Sequence, residues 1–318
     1  MSPERVQVGI LLPTRDAVMS GRFDVAPLLA MAERAEAAGY DSVWVGDSLL
    51  ARQRFEPLTL LAAVAARTRR PLLGTAVLLP ALRHPLVLAH LVATVDRIAE
   101  GRLALGVGIA PDSPAVRREF EAAGVPFAQR VGRLEESLAI CRALWAESDR
   151  GVTFTGRYWS LSDAHLLPKP HRPGGPPIWM GGEVEAAMQR AGRLADAWLP
   201  TSVTPEAWAQ GWARVQAAVA PGKAGRMTPA LYTTINIGRD GKTAEAELRL
   251  FVEGYYAAPY DAIARVQGYH GGDAASCLDR LQGFVRAGVR HIVVRFGGGD
   301  QDEQLDRMTR EILPKLKG

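Results

Sequence analysis

Cysteine is nearly missing: the 318 residues hold two, Cys141 and Cys277, far apart in segments that read as helices. A disulfide scaffold needs many more in a much shorter chain, so both are expected to be reduced packing residues. No uninterrupted apolar run approaches the roughly 20 residues that span a bilayer, and the start, MSPERVQVG, lacks the apolar core of a secretion signal. A soluble, cytoplasmic protein is expected. Charge of one sign is not concentrated either: 38 Lys and Arg stand against 34 Asp and Glu, a net +4, with the basic residues scattered. A nucleic-acid binder gathers them on one face, so neither nucleic acid nor membrane is expected as a partner. The densest cluster, RTRR at 67–70, reads as a solvated helix end where cations suit the dipole.

Familiar catalytic motifs are missing too. No GxxxxGK[ST], GxSxG or HExxH occurs, which removes the phosphate loop, the nucleophile elbow and the commonest zinc helix. Gly106-Val107-Gly108 begins like a dinucleotide fingerprint but lacks the third glycine and sits on a strand. The six histidines show no ligand spacing; His84 and His90, on one helix, point to opposite faces. An aldolase or isomerase barrel would need a Schiff-base lysine or metal carboxylates at strand ends, and none stands out. In an enzyme-sized chain with no strong nucleophile and no metal site, the chemistry falls to a cofactor.

What is present is a repeat of strand and helix. VQVGILLP (6–13), DSVWVGD (41–47), PLLGTAVLL (71–79) and RLALGVGI (102–109) are apolar strands. Helical patterns separate them: one after Asp24 with Val25, Leu28, Leu29, Ala32 and Ala35 in phase, one at 57–69 and one at 84–101. After a helix near 129–147, strands recur at 176–182, 197–201, 228–238 and 291–296, with helices near 183–195, 205–219, 243–257, 273–287 and 302–316. Near-continuous apolar strands alternating with amphipathic helices mark a parallel sheet covered on both faces. Eight such units to the end of the chain predict an α/β fold, a closed (β/α)8 TIM barrel, rather than an open sheet. Two junctions are near copies, EAAGYDSVWV (36–45) and VRAGVRHIVV (285–294), each closing a helix at glycine. No composition break marks a second domain; 1–318 reads as one, with excursions near 148–176 and 258–272.

At the level of motifs, GTAVLLPALRHPLVLAHLVATVDRIAEGRLALGVG (74–108), GVPFAQRVGRLEESLAICRALW (124–145), LLPKPHRPGGPPIWMGG (166–182) and ADAW (195–198), in this order and spacing, resemble the bacterial-luciferase-like flavin and deazaflavin oxidoreductases. The resemblance implies an enzyme in which FMN, or the deazaflavin coenzyme F420, binds at the C-terminal ends of the strands. It places a non-proline cis peptide behind the ring at Ala76-Val77, with Thr75 beside it, puts Gly108 and Ile109 against the ring, and makes Met180, Gly181 and Gly182 the turn that holds the cofactor phosphate. Glycines before a helix independently suit an anion, because backbone N–H groups approach closely and the dipole favours the charge.

Two positions depart from the family. Many members carry a histidine after the acidic residue that ends the second strand, where this chain has Asp47-Ser48; many deazaflavin members place a glutamate after the fourth strand, where Ile109-Ala110-Pro111 follows here. Asp47 is left as the candidate catalytic residue, with a loop-capping role as the alternative. Arg130 and Arg133 resemble arginines ahead of the family's LEE helix, Arg295 ends the eighth strand, and Trp44, Trp179 and Trp198 read as core or pocket wall. The expected activity is a flavin-dependent monooxygenase in which reduced FMN, supplied by a separate reductase, and O2 act on a small-molecule substrate. The alternatives are F420-dependent hydride transfer and a non-catalytic flavin-binding barrel. A homodimer or higher homo-oligomer is expected.

Overall fold

The structure, a computed structural model, describes residues 5–318. Its strands are β1 (Gln7–Leu11), β2 (Ser42–Val45), β3 (Leu72–Thr75), β4 (Leu103–Val107), β5 (Val152–Thr155), β6 (Ser160–Ala164), β7 (Ile178–Met180), β8 (Ala197–Trp198), β9 (Thr228–Ile237), β10 (Tyr269–Gly272) and β11 (His291–Phe296). Two compact units share them. One comprises Met1–Trp44 with Ile178–Gly318, the other Val45–Pro177.

In the first unit β7, β8, β9, β11, β1 and β2 lie side by side in that order, every neighbouring pair parallel. In the second, β3 and β4 are parallel neighbours. These are the eight strands expected, and the fold is a (β/α)8 barrel. Each is followed by a helix for the reason the sequence suggests: strands apolar on both faces need cover on both. Helix Ala26–Ala37 buries Leu28, Met31, Ala32 and Ala35 and begins where Asp24 Oδ1 accepts the Ala26 N–H at 2.9 Å. It ends at Gly39, and helix Ala274–Ala287 at Gly288; both glycines hold positive φ (+85° and +118°), which accounts for the repeated junction.

Strand β8 is only two residues long. It pairs with Thr228 and Pro229 at the start of β9, whereas β10, from the 258–272 excursion, pairs in parallel with Thr234–Ile237 at its end. The 148–176 excursion holds the antiparallel hairpin β5–β6. Glu136 ties this hairpin to helix Arg130–Trp145 by accepting the backbone N–H groups of Arg157 and Tyr158 at 2.7 and 3.0 Å.

The first unit packs around indoles. Trp44 and Trp179 meet at 4.8 Å with His291 edge-on to both. Further out, Trp198, Trp208 and Trp212 stack, and helix Pro205–Ala217 lies on Trp198 because a Cβ at Gly211 would come within 2.4 Å of that ring. Cys141 and Cys277 are buried and free, and burial pushes both thiols up to about 12, as packing residues require. Among the described residues no helix is long and apolar enough to cross a membrane, and no cluster could hold a metal ion.

Candidate cofactor site

In the Val45–Pro177 unit, the cis peptide lies at Ala76-Val77, where the resemblance puts it. Around it the backbone is held on both sides: Ala76 N–H donates to Val45 O at 2.7 Å, Leu78 N–H to Gly106 O at 2.7 Å, and Gly108 N–H to Leu78 O at 2.9 Å. Thr75 is buried and its hydroxyl donates to Gly106 O at 2.7 Å, so it serves the strand edge. Ala76, Val77, Gly108 and Ile109 keep part of their surface exposed, between strands that are otherwise buried. Gly108 permits this, because a Cβ there would stand 2.6 Å from Val77 Cγ2.

Asp47 follows β2 and its side chain is 1% exposed. Oδ2 accepts the Leu79 N–H at 2.9 Å and Arg83 Nη1 at 2.6 Å, and Oδ1 accepts Arg83 Nη2 at 3.1 Å. Arg83 also reaches Glu56 Oε1 at 3.2 Å. Burial lowers the Arg83 pKa, but the bonds to Asp47 and Glu56 outweigh it and the net shift is upward. A carboxylate clamped by a guanidinium fork and a backbone N–H fixes the segment leading from the cis peptide; this geometry suits positioning better than the expected proton exchange.

At the missing histidine's position, Ser48 has work of its own. Its hydroxyl donates to Glu119 Oε1 at 2.7 Å, and the same oxygen accepts the N–H groups of Leu50 and Ala51 at 2.8 and 3.2 Å. Glu119, 1% exposed, is therefore a buried loop anchor. Arg130 packs on the Phe127 ring at 3.8 Å and donates to Phe127 O, and Arg133 lies against Tyr158 and Trp159.

In the other unit, Met180 ends β7 and Gly181-Gly182 leads to helix Glu185–Leu194. Gly182 has φ +98°, and a Cβ at Gly181 would meet Leu199 O at 2.8 Å. Both glycines are thus required by the turn itself, and a side chain at Gly181 would disturb packing as well as any ligand. The helix that follows has no side-chain cap, whereas those beginning at Pro205, Gly241, Ala274 and Gln301 are capped by Thr204, Asp240, Asp273 and Asp300. Ala187 N–H already donates to Val184 O at 2.8 Å, so the two N–H groups before it, those of Glu185 and Ala186, are the ones that suit an anion. Glu183, next to the turn, is tied down by Ser202 Oγ, which donates at 2.5 Å; burial raises its carboxyl pKa more than that bond and one from the Thr201 backbone lower it. A restrained carboxyl of raised pKa repels a phosphate less than a free one. The uncapped turn in one unit and the partly exposed surface at Ala76, Val77, Gly108 and Ile109 in the other each fit a phosphate-bearing, flavin-type cofactor.

Sequence reasoning missed Arg83, Glu119 and Glu183. The partners of Arg83 and Glu119 lie 36 and 71 residues away, and no local pattern joins them.

The chain matches the luciferase-like monooxygenase family over residues 6–280. It is 31% identical to the F420-dependent glucose-6-phosphate dehydrogenase of Amycolatopsis mediterranei (strain U-32), over 93% of this chain and 96% of that protein. Solved structures with the same fold include an F420-dependent secondary alcohol dehydrogenase in complex with an F420-acetone adduct (TM-score 0.80, 21% identity, 99% of this chain and 100% of that one). The monooxygenase RslO1 from Streptomyces bottropensis is another (TM-score 0.80, 21% identity, 97% and 99%). With the cis peptide at Ala76-Val77 and the glycine turn after β7 in place, the chain belongs to the luciferase-like monooxygenase family.

Proposed function

We propose that the protein is an oxidoreductase that uses the deazaflavin coenzyme F420 to exchange hydride with a small organic substrate. The observation that carries this reading is the 31% identity, over nearly the whole chain, to a relative named F420-dependent. For the first reading of the sequence, reduced FMN with O2, the similar protein named above is the monooxygenase RslO1 at 21% identity, a likeness of fold alone. When bound, the coenzyme supplies a ring carbon that accepts or returns a hydride. In its own unit the uncapped start of helix Glu185–Leu194 would hold a phosphate; in the other, Asp47 with Arg83 fixes the Ala76-Val77 segment, which would back a ring. The relatives' sugar phosphate is not carried over, because Ser48 and Ile109-Ala110 stand where many deazaflavin members have histidine and glutamate.

Titrating F420 and FMN separately into the protein, followed by fluorescence, tests the reading. F420 should bind at least about tenfold more tightly than FMN, a difference of about 1.4 kcal/mol. Tighter binding of FMN would return the monooxygenase reading to first place; binding of neither removes both.

The phosphate assignment has its own test at Val184, the exposed and uncapped N-cap position. Val184→Asp should stabilise the cofactor-free protein by about 1 kcal/mol, since the carboxylate accepts an orphan N–H. Cofactor affinity should meanwhile fall by about tenfold or more, because that carboxylate occupies and charges the anion's place. A stabilised variant with undiminished affinity would put the phosphate elsewhere.

A further inference from the structure

Arg295 in β11 is 3% exposed, and among the described residues no carboxylate pairs with it. Its Nε donates to Thr234 Oγ1 at 2.9 Å and Nη1 to the Tyr256 hydroxyl at 3.2 Å; Nη2 is buried with no partner. Aromatic rings enclose the guanidinium: Tyr255 at 4.5 Å, Phe251 and Tyr256 at 5.6 Å, Tyr269 at 5.9 Å and Tyr232 at 6.0 Å. Ring faces offset part of the cost of burying a cation, but a buried charge is ordinarily paired with an opposite one. Here no opposite charge stands beside it among the described residues. Tyr256 and Tyr269 both donate to Gln267 Oε1, at 2.9 and 2.8 Å, and like Tyr232 and Phe251 they keep part of their surface in solvent.

We propose that Arg295 and its aromatic collar form the subsite for the carboxylate of a substrate with an apolar body. This rests on the reading above that a small organic molecule is turned over. Arg295 lies near the C-terminal end of its strand, the end at which barrel enzymes place their sites. Charge matching selects the anion. One guanidinium offers one charge and one free edge, which suits a carboxylate. A phosphate, largely dianionic at neutral pH, would call for a second dedicated cation. Arg15, over the Tyr255 ring at 4.9 Å, directs both Nε and Nη2 at the Tyr255 carbonyl oxygen. The rings supply apolar wall for the rest of the ligand and few partners for sugar hydroxyls.

Benzoate and inorganic phosphate serve as probes for the cofactor-free protein, read by calorimetric titration, by thermal unfolding and by the NMR signal of the slowly exchanging Arg295 Nε–H. Benzoate should bind, raise the unfolding temperature and shift that signal, with phosphate at least tenfold weaker. Arg295→Met should fold, unfold no lower than the wild type because a charge without a counter-charge has gone, and lose the benzoate response. No response of the wild type to benzoate would overturn the proposal, as would phosphate binding more tightly than benzoate. So would an Arg295→Met variant of lowered unfolding temperature that still binds benzoate, since Arg295 would then be a structural cation. F420 titrated in parallel separates the two readings: coenzyme binding without a benzoate response sinks only the subsite, and a benzoate response without coenzyme binding sinks only the cofactor.

Discussion

Asp47→Ala should destabilise the protein by about 3 kcal/mol, the low end for breaking a buried ion pair by removing one partner. The carboxylate is almost wholly buried and binds both ends of the Arg83 fork together with the Leu79 N–H. Its removal strands a guanidinium that burial already disfavours. Glu56, still within 3.2 Å of Arg83, keeps the loss from being larger. Chemical denaturation measures the effect, and Asp47→Ala combined with Arg83→Met should lose clearly less than the sum of the single variants, because the pair acts as a unit. A loss below about 0.5 kcal/mol, the size of an ordinary surface change, would show that the pair holds nothing. Asp47→Asn separates positioning from proton transfer. Proton transfer requires about a 10²-fold fall in kcat and an altered pH profile; positioning leaves the profile where it was.

Acidification should weaken the fold by about 3 kcal/mol through His291 alone, as its pKa falls from 6.5 in the open chain to about 4 in the buried site. Desolvation is the leading cause, and the hydrogen bonds agree with it. Trp44 Nε1 donates to Ser42 Oγ at 2.7 Å, which turns the Ser42 proton toward His291 Nε2, also at 2.7 Å, while Nδ1 lies 2.9 Å from Gln7 Oε1. That chain assigns the neutral ring protonated at Nδ1 and leaves no place for a second proton. Below about pH 6.5 the unfolded chain takes up a proton that the folded one refuses, so stability falls progressively until about pH 4 and is flat above 6.5 on this account. Urea midpoints at pH 7.5, 6 and 5, for the wild type and His291→Gln, isolate the contribution. Equal slopes for the two proteins would mean that His291 is not the group refusing the proton.

Most of the barrel was legible because parallel strands buried on both faces must be apolar throughout, and all eight runs are strands. Short polar strands were not. VTFT and SLSDA at β5 and β6 carry exposed residues, and YHGG at β10 has two glycines in four positions; β10 finds its place only because β8 stops after two residues and leaves the end of β9 open. The candidate site divides in the same way. The Ala76-Val77 bond and the Gly181-Gly182 turn are backbone features carried by local sequence, so the resemblance located them. Asp47 was identified but not its fork, which arrives from Arg83. Glu119 sits on helix Pro114–Ala122, a segment the sequence pattern did not mark, and it is buried by a loop about 70 residues upstream. Arg295 was legible as the end of the eighth strand, while its collar comes from Tyr232, from the end of helix Gly241–Tyr256 and from Tyr269.

The stacked indoles have an optical consequence. Five of the seven tryptophans belong to the unit containing Ile178–Gly318, and Trp198, Trp208 and Trp212 lie 5.8–6.3 Å apart with interplanar angles of 37°, 21° and 17°. Aromatic transitions held in fixed relative orientation give a strong near-ultraviolet circular dichroism signal that vanishes once side-chain packing is lost, even where helices persist. The Val45–Pro177 unit, with only Trp145 and Trp159, has no comparable stack. Near-ultraviolet ellipticity therefore reports mainly on the unit containing Ile178–Gly318 and far-ultraviolet ellipticity on both, and a difference between their melting curves would reveal that the two units do not lose their order together.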